Sequence, residues 1–282
     1  MAILSIQSAV AYGSVGNAAA VFPLQRLGFE VWRVDTVLFS NHTGYGKWRG
    51  KVLEPELVGE IVAGIEERGV FPRCAAVLSG YLGSSALGAT VLDAVQRVKR
   101  ANPQAIYCCD PVMGDSDGGL FVRPELPDFF RRAVASADIL TPNRFELETL
   151  TGAEVSTLTA ARAAAETLLA QGPRVVLVTS LAVGEIASTE AAMLAATREG
   201  GFLVRTPRLP FAPDGAGDLT AALFLAHHLR TNDAATALAA TAAGVHAVLA
   251  ETYRRGGGEL AIVAAQEALT APPQRFAIEK VY

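Results

Sequence analysis

Cysteine is scarce in this 282-residue chain, which carries only Cys74, Cys108 and Cys109, the last two adjacent in the apolar run AIYCCDPV. That placement excludes a disulfide framework and reads as buried, reduced thiols. No Cys-x-x-Cys spacing occurs, and of four histidines only His227 and His228 are neighbours, pointing to different faces of a helix. A structural metal cage is therefore excluded. Charge is sparse too, at 18% of residues, with 24 Lys and Arg against 28 Asp and Glu. Without a basic block, no nucleic-acid partner is expected. The N-terminal MAILSIQSAV has neither a basic flank nor a small-residue cleavage pattern, so no signal peptide is expected. The Ala-rich stretch 234–250 is short for a bilayer span of roughly 20 residues, so no membrane partner is expected and the cytoplasm is the expected compartment. No Pro/Gly/Ser-rich linker or internal repeat divides the sequence, so residues 1–282 read as a single domain.

What the chain does contain is alternation. Short apolar runs lie at 2–7, 31–39, 74–80, 105–112, 137–142 and 175–180, and several are nearly continuous in hydrophobicity, as expected of strands covered on both faces. Helical stretches separate them at 16–27, 54–68, 84–100, 124–136 and 159–171; Gly28, Gly69 and Gly172 follow three of these as left-handed caps. The alternation predicts an α/β fold, doubly wound, with a mostly parallel central sheet flanked by helices. From 183 to 206 the pattern changes to a hairpin with a Gly200-Gly201 turn, which predicts an antiparallel edge. After Asp214 only helices are expected, at about 215–230, 233–250 and 259–269.

In such a sheet, ligands bind beyond the carboxyl ends of the strands. Three elements there carry chemistry. Gly215-Ala216-Gly217 opens a helix with Asp218 in its first turn, so uncovered N–H groups at the positive end of a helix dipole can cradle a transferring phosphoryl group. A carboxylate beside that hole can accept a proton from an attacking alcohol; the plainer reading is that Asp214 caps the helix and Asp218 only complements the dipole. The missing G-x-x-x-x-G-K-[ST] loop excludes a P-loop enzyme. Asp110, ending a hydrophobic strand, and Glu146 in TPNRFE form an acidic pair of the kind that holds magnesium with a nucleotide. Asn143 and Glu146 also have the spacing of a capping box, and the two roles are compatible. Third, the loop FSNHTGYGKW (39–48) offers polar and aromatic groups suited to a substituted aromatic ring; His42 there reads as structural rather than as a base.

Taken in order, SIQS (5–8), FSNHTGYGKW (39–48), LSGYLGS (78–84), CDPVMG (109–114), TPNRFELE (141–148), QGPRVVLVTS (171–180) and GAGD (215–218) resemble the pyridoxal kinases of the ribokinase-like superfamily along essentially the whole chain. The resemblance implies a single ribokinase-like domain that phosphorylates the 5′-hydroxymethyl group of pyridoxal with ATP and Mg2+. It implies that Asp218 is the base and that Gly215, Ala216 and Gly217 form the anion hole. By the same resemblance Ser8, Thr43, Gly44 and Tyr81 surround the pyridine ring, and Val15 and Phe39 close the pocket. Asp110, Thr141, Glu146 and Thr179 fall on the nucleotide side, with Asp110 and Glu146 toward the metal. A homodimer and a mobile cover at 115–123 are implied as well. Asp214 departs from the pattern, standing where a small or apolar residue is expected. Two alternatives remain at this level: a kinase of the same fold acting on hydroxymethylpyrimidine or another small alcohol, and a non-catalytic carrier of pyridoxal 5′-phosphate.

Overall fold

A computed structural model describes residues 1–282. Six strands form the parallel centre of one sheet: β1 (Ala2–Val10), β2 (Glu30–Phe39), β4 (Cys74–Ser79), β5 (Ile106–Cys109), β8 (Ile139–Leu140) and β9 (Val175–Val178). Antiparallel strands extend it at both ends: β3 (Gly50–Val52) beside β2, and β10 (Glu190–Thr197), β11 (Gly200–Pro207) and β12 (Ile278–Lys280) beyond β9. The order across the sheet is β12-β11-β10-β9-β8-β5-β4-β1-β2-β3.

Side-chain alternation explains why the strands read as unbroken apolar runs. Leu4 and Ile6 of β1, Val77 of β4 and Val176 of β9 enter one core; Ile3, Ala76, Leu78, Val175 and Leu177 enter the other. The first core is closed by α2 (Pro55–Glu66), α3 (Ser85–Ala101), α4 (Leu126–Ala133), α5 (Arg144–Thr151) and α6 (Leu158–Leu169). The second is closed by α1 (Asn17–Arg26), α7 (Ala216–Thr231), α8 (Ala234–Arg254) and α9 (Gln266–Thr270). Side-chain caps start several of these helices: Ser84 accepts the Leu87 N–H, Thr157 that of Ala160 and Asp233 that of Thr236. Each fully buried Leu, Ile or Phe stabilises the fold by about 1.5–3 kcal/mol, so the two cores hold the sheet rigidly between the helix layers.

The sequence reading needs correction at several points. The hairpin turns at Arg198-Glu199, with Gly200 and Gly201 already inside β11. The segment expected as a helix over 259–269 is helical only from Gln266; before it, the Glu259 side chain accepts the Ser14 N–H and the Ala261 N–H donates to the Thr252 hydroxyl. The chain does not finish in helices alone, since β12 pairs with β11. The 115–123 segment contributes to a small hairpin of its own, β6 (Gly114–Asp115) with β7 (Gly119–Leu120), leaving Leu120 and Phe121 exposed. α8 runs to Arg254 rather than 250. It is long and apolar enough to cross a membrane by length and composition, an 18-residue stretch of it having mean hydropathy 1.3, yet half of that stretch is buried within the fold. Ala237, Leu238, Ala242, Val245 and Val248 line its buried face.

Candidate active site

Because the six central strands are parallel, their carboxyl ends lie along one edge, and the predicted residues gather there. Asp110 follows β5, Thr141 follows β8 and Thr179 follows β9. Asp110 is 4% exposed, and its Oδ1 accepts the Thr141 hydroxyl at 2.9 Å. Thr179 is buried, and its N–H donates to the Pro142 carbonyl, next to Asn143. Asn143 caps α5 by accepting the Glu146 N–H, and Glu146 Oε2 accepts the Asn143 N–H at 2.9 Å, so the capping box is complete. Glu146 Oε1 accepts the Met113 N–H at 2.8 Å. The capping box and the buried acid share Glu146.

Burial decides the electrostatics of this cluster. It drives the Asp110 carboxyl well above its ordinary range, with Glu146 and then Asp218 adding like-charge repulsion. Glu146 is pushed up to about 7, again chiefly by burial, although the Asn143 and Met113 N–H groups oppose the shift. Two buried carboxylates with no counter-charge fit a divalent cation carried in with phosphates. No group of three or more His, Cys, Asp or Glu side chains is assembled as a cage, so a cation here would share its coordination with phosphate oxygens and water.

α7 begins without a side-chain cap. Its N-cap is Gly215, at φ +83, and a Cβ there would overlap the Ser14 carbonyl oxygen, so the turn admits glycine alone. The first intrahelical bond runs from the Leu219 N–H to the Gly215 carbonyl, leaving the N–H groups of the first turn free. Space is open where a side chain on Gly217 would stand. Asp218, partly buried, is raised to about 6 by burial, while the Gly16 N–H beside its carboxylate opposes the shift. A carboxylate held near 6 beside free N–H donors is suited to take a proton near neutral pH.

The expected vitamin-pocket residues also converge. Val15 and Phe39 form a small apolar cluster with Val10 and Val37, and Tyr81 packs against it. Trp48 lies against Phe39, ring centroids 4.0 Å apart. Ser8 sits at an irregularity in the β1–β2 register, its hydroxyl within 2.5 Å of where a Gly16 Cβ would stand, and so next to the Asp218 anchor. Thr43 and Gly44 occupy a 3-10 turn, Thr43–Tyr45, and are exposed. A Gly44 Cβ would lie 3.4 Å from Asp214 Oδ2, which brings this turn to the start of α7.

Asp214 does not cap that helix. Its Oδ2 lies 2.9 Å from His42 Nδ1, which stands 3.2 Å from the Gly44 nitrogen. One nitrogen cannot donate to Asp214 and accept from Gly44 at once; the shorter, charge-assisted contact takes the proton. Asp214 accordingly raises His42 above its ordinary value, and His42 lowers Asp214. The sequence reading missed this pair because its members are far apart in the chain. It also missed Glu259, whose carboxylate accepts from the Ser14 N–H and the Tyr45 hydroxyl, joining the loops after β1 and β2. No local signal marks either.

A glycine-rich helix start with an adjacent carboxylate, facing buried acids across the edge of a doubly wound sheet, defines a small-molecule kinase of the ribokinase-like class. Residues 53–262 match the family described as phosphomethylpyrimidine kinase. The pyridoxal kinase of Rubrobacter xylanophilus is 61% identical over 99% of this chain and 97% of its own length, and that of Granulibacter bethesdensis is 55% identical over 98% of both. The chain belongs to the pyridoxal kinase family. Among solved structures, pyridoxal kinase from Leishmania donovani in complex with ADP and pyridoxamine superposes with a TM-score of 0.94 at 29% identity, covering 100% of this chain and 99% of that one.

Proposed function

We propose that this chain transfers the γ-phosphoryl group of ATP to the 5′-hydroxymethyl group of pyridoxal, with Asp218 as base and the Gly215–Gly217 turn as anion hole. The observation that carries the reading is Asp218 itself: a carboxylate held near 6, beside uncapped N–H groups, on a chain whose Val15, Phe39 and Tyr81 gather in one apolar cluster. Val15, Phe39 and Tyr81 take the pyridine ring, and Ser8, Thr43 and Gly44 supply polar contacts around it. Asp218 orients the alcohol and accepts its proton as the oxygen attacks phosphorus. The free N–H groups of α7 stabilise the charge that develops on the transferring phosphoryl oxygens. Asp110, Thr141, Glu146 and Thr179 form the nucleotide side. Asp110 and Glu146 would hold Mg2+, directly or through water, and the bound ion would neutralise phosphate charge. Positioning and electrostatics supply most of the catalysis, since little covalent work falls to the protein.

The loops that would hold the vitamin, 5–8 and 39–48, lie outside the stretch matched as phosphomethylpyrimidine kinase. A pyrimidine substrate is therefore supported only by the shared scaffold, whereas the pyridoxal reading is supported along the full length of the relatives. A pure carrier of pyridoxal 5′-phosphate needs no base facing two acids. One sheet running from β12 to β3 supports a single domain over 1–282. Three free, buried cysteines support a reducing cytoplasmic setting. The homodimer remains part of the reading, and light scattering tests it.

The deciding experiment offers pyridoxal, pyridoxine, pyridoxamine, hydroxymethylpyrimidine and ribose to the purified protein with Mg-ATP, with Asp218→Asn as control. Turnover on pyridoxal that disappears in the control is expected. Turnover confined to another alcohol overturns the substrate; none at all, with tight binding of pyridoxal 5′-phosphate, overturns catalysis.

A further inference from the structure

The two loops beside the pocket are joined through a side chain from a third. Glu259 lies between α8 and α9, 245 residues from Ser14. Its Oε2 accepts the Ser14 N–H at 2.8 Å and its Oε1 accepts the Tyr45 hydroxyl at 2.9 Å. Ser14 immediately precedes Val15, a member of the apolar cluster proposed to meet the pyridine ring, and Gly16, whose N–H stands beside the Asp218 carboxylate. Tyr45 ends the turn that carries Thr43 and Gly44, and its ring meets Tyr12 edge-on at 6.1 Å. Gly13 is shaped to this contact. It has φ +106, and a Cβ there would fall 2.6 Å from the Glu259 oxygens.

Glu259 is itself held in place from behind. Gly256, Gly257 and Gly258 turn the chain through three positive φ values after α8. The buried Thr252 hydroxyl then fixes both ends of the excursion, donating to the Val248 carbonyl at 2.7 Å and accepting the Ala261 N–H at 2.9 Å. A second tie runs from the Ser14 hydroxyl to the Leu260 carbonyl.

We propose that Glu259 is a positioning residue for the vitamin substrate, fastening the 12–16 loop to the 43–45 turn so that the two walls of the pocket stand at a fixed separation. The inference rests on the pyridoxal reading above. Glu259 acts through Ser14 and Tyr45 and touches no reacting atom; losing it widens the pocket mouth and leaves the nucleotide side, built on β5, β8, β9 and α5, unchanged.

The test is steady-state kinetics on the full-length protein, varying pyridoxal and ATP separately for wild type, Glu259→Ala, Glu259→Gln, Tyr45→Phe and the Glu259→Ala/Tyr45→Phe double variant, with thermal melts alongside. Glu259→Ala is expected to raise KM for pyridoxal about tenfold or more, the size of a lost charge-assisted hydrogen bond, with KM for ATP unchanged. Glu259→Gln, which keeps one acceptor oxygen, recovers part of that loss. Tyr45→Phe removes one hydroxyl from an exposed ring and gives a smaller rise, and the double variant is no worse than Glu259→Ala alone. An unchanged KM for pyridoxal in Glu259→Ala, or an equal rise in both KM values, overturns the proposal. If Glu259→Ala fails to fold, wild-type kinetics in both Tyr45→Phe and Glu259→Gln overturn it instead. Wild-type protein inactive on pyridoxal overturns the substrate reading; wild-type protein active and matched by every variant overturns this inference alone.

Discussion

Replacing Asp218 by Asn should make the protein slower and more stable at the same time. The side chain keeps its shape and one acceptor for the Gly16 N–H but loses its ability to take a proton, so turnover on pyridoxal falls roughly 10²–10⁴-fold. The stability change follows from the cost of the charge. An aspartate whose ordinary value is 3.8, held at about 6 by burial, opposes folding once it ionises. That difference corresponds to about 3 kcal/mol above pH 7, and partial solvent exposure reduces it to about 1–2 kcal/mol. The sign is that of a raised acid: the stability is fully present below pH 3.8, where both states are protonated, and is lost as pH rises through 6. The Asp218→Asn variant has no charge to lose or gain at this position, so its advantage over wild type is absent near pH 3.8, partial at about pH 5 and complete by about pH 8. For a chain of this size the full advantage is a Tm rise of about 2–6 °C. Thermal melts of both metal-free proteins at pH 5, 6.5 and 8, with turnover measured at pH 8, check it. A variant melting below wild type at pH 8, or a Tm difference independent of pH, would refute the picture of an uncompensated carboxylate. Near-wild-type turnover would remove Asp218 from the role of base.

Three further outcomes are expected. Asp110→Asn should raise the Mg2+ concentration for half-maximal turnover about tenfold or more, with KM for pyridoxal unchanged; a shift in pyridoxal KM alone would place Asp110 on the wrong side of the site. Asp214→Asn should let the His42 titration, followed by NMR, fall back toward its ordinary 6.5, because Asp214 is the largest cause of its rise; an unmoved titration would dissolve the pair. Gly215→Ala should lose at least about 1–3 kcal/mol in denaturant unfolding, from strain at φ +83 and the clash with the Ser14 carbonyl; a wild-type midpoint would show that the turn can relax.

How much of this was legible in the residues depended on the range over which each feature is determined. The parallel strands announced themselves because burial on two faces leaves a continuous apolar run, as in β9, where all four residues are buried. The capping box at Asn143 and Glu146 is a four-residue signal, and both of its bonds form. Even so, α5 itself was not read, since eight residues between an asparagine and a glycine show too little periodicity. β3 and β12 are three residues each, made into strands only by the neighbours they pair with. The clearest misses are Asp214, which reads locally as a cap and instead meets His42, and Glu259, which reads locally as the start of a helix and instead bridges two distant loops. Both answer to partners that only the closed fold supplies.

Glu146 spends both oxygens on backbone N–H groups, one from the residue that caps α5 and one from the turn after β5. If Glu146 holds the cation as proposed, its carboxylate is stationary: it cannot swing to meet an arriving ion without giving up its half of the capping box. Winding the first turn of α5 and setting the acid in place are one event. A substitution at Asn143, whose own side chain faces the Glu146 N–H and the Gly114 carbonyl, would then be felt as a defect in cation use by an enzyme whose acidic residues are all intact.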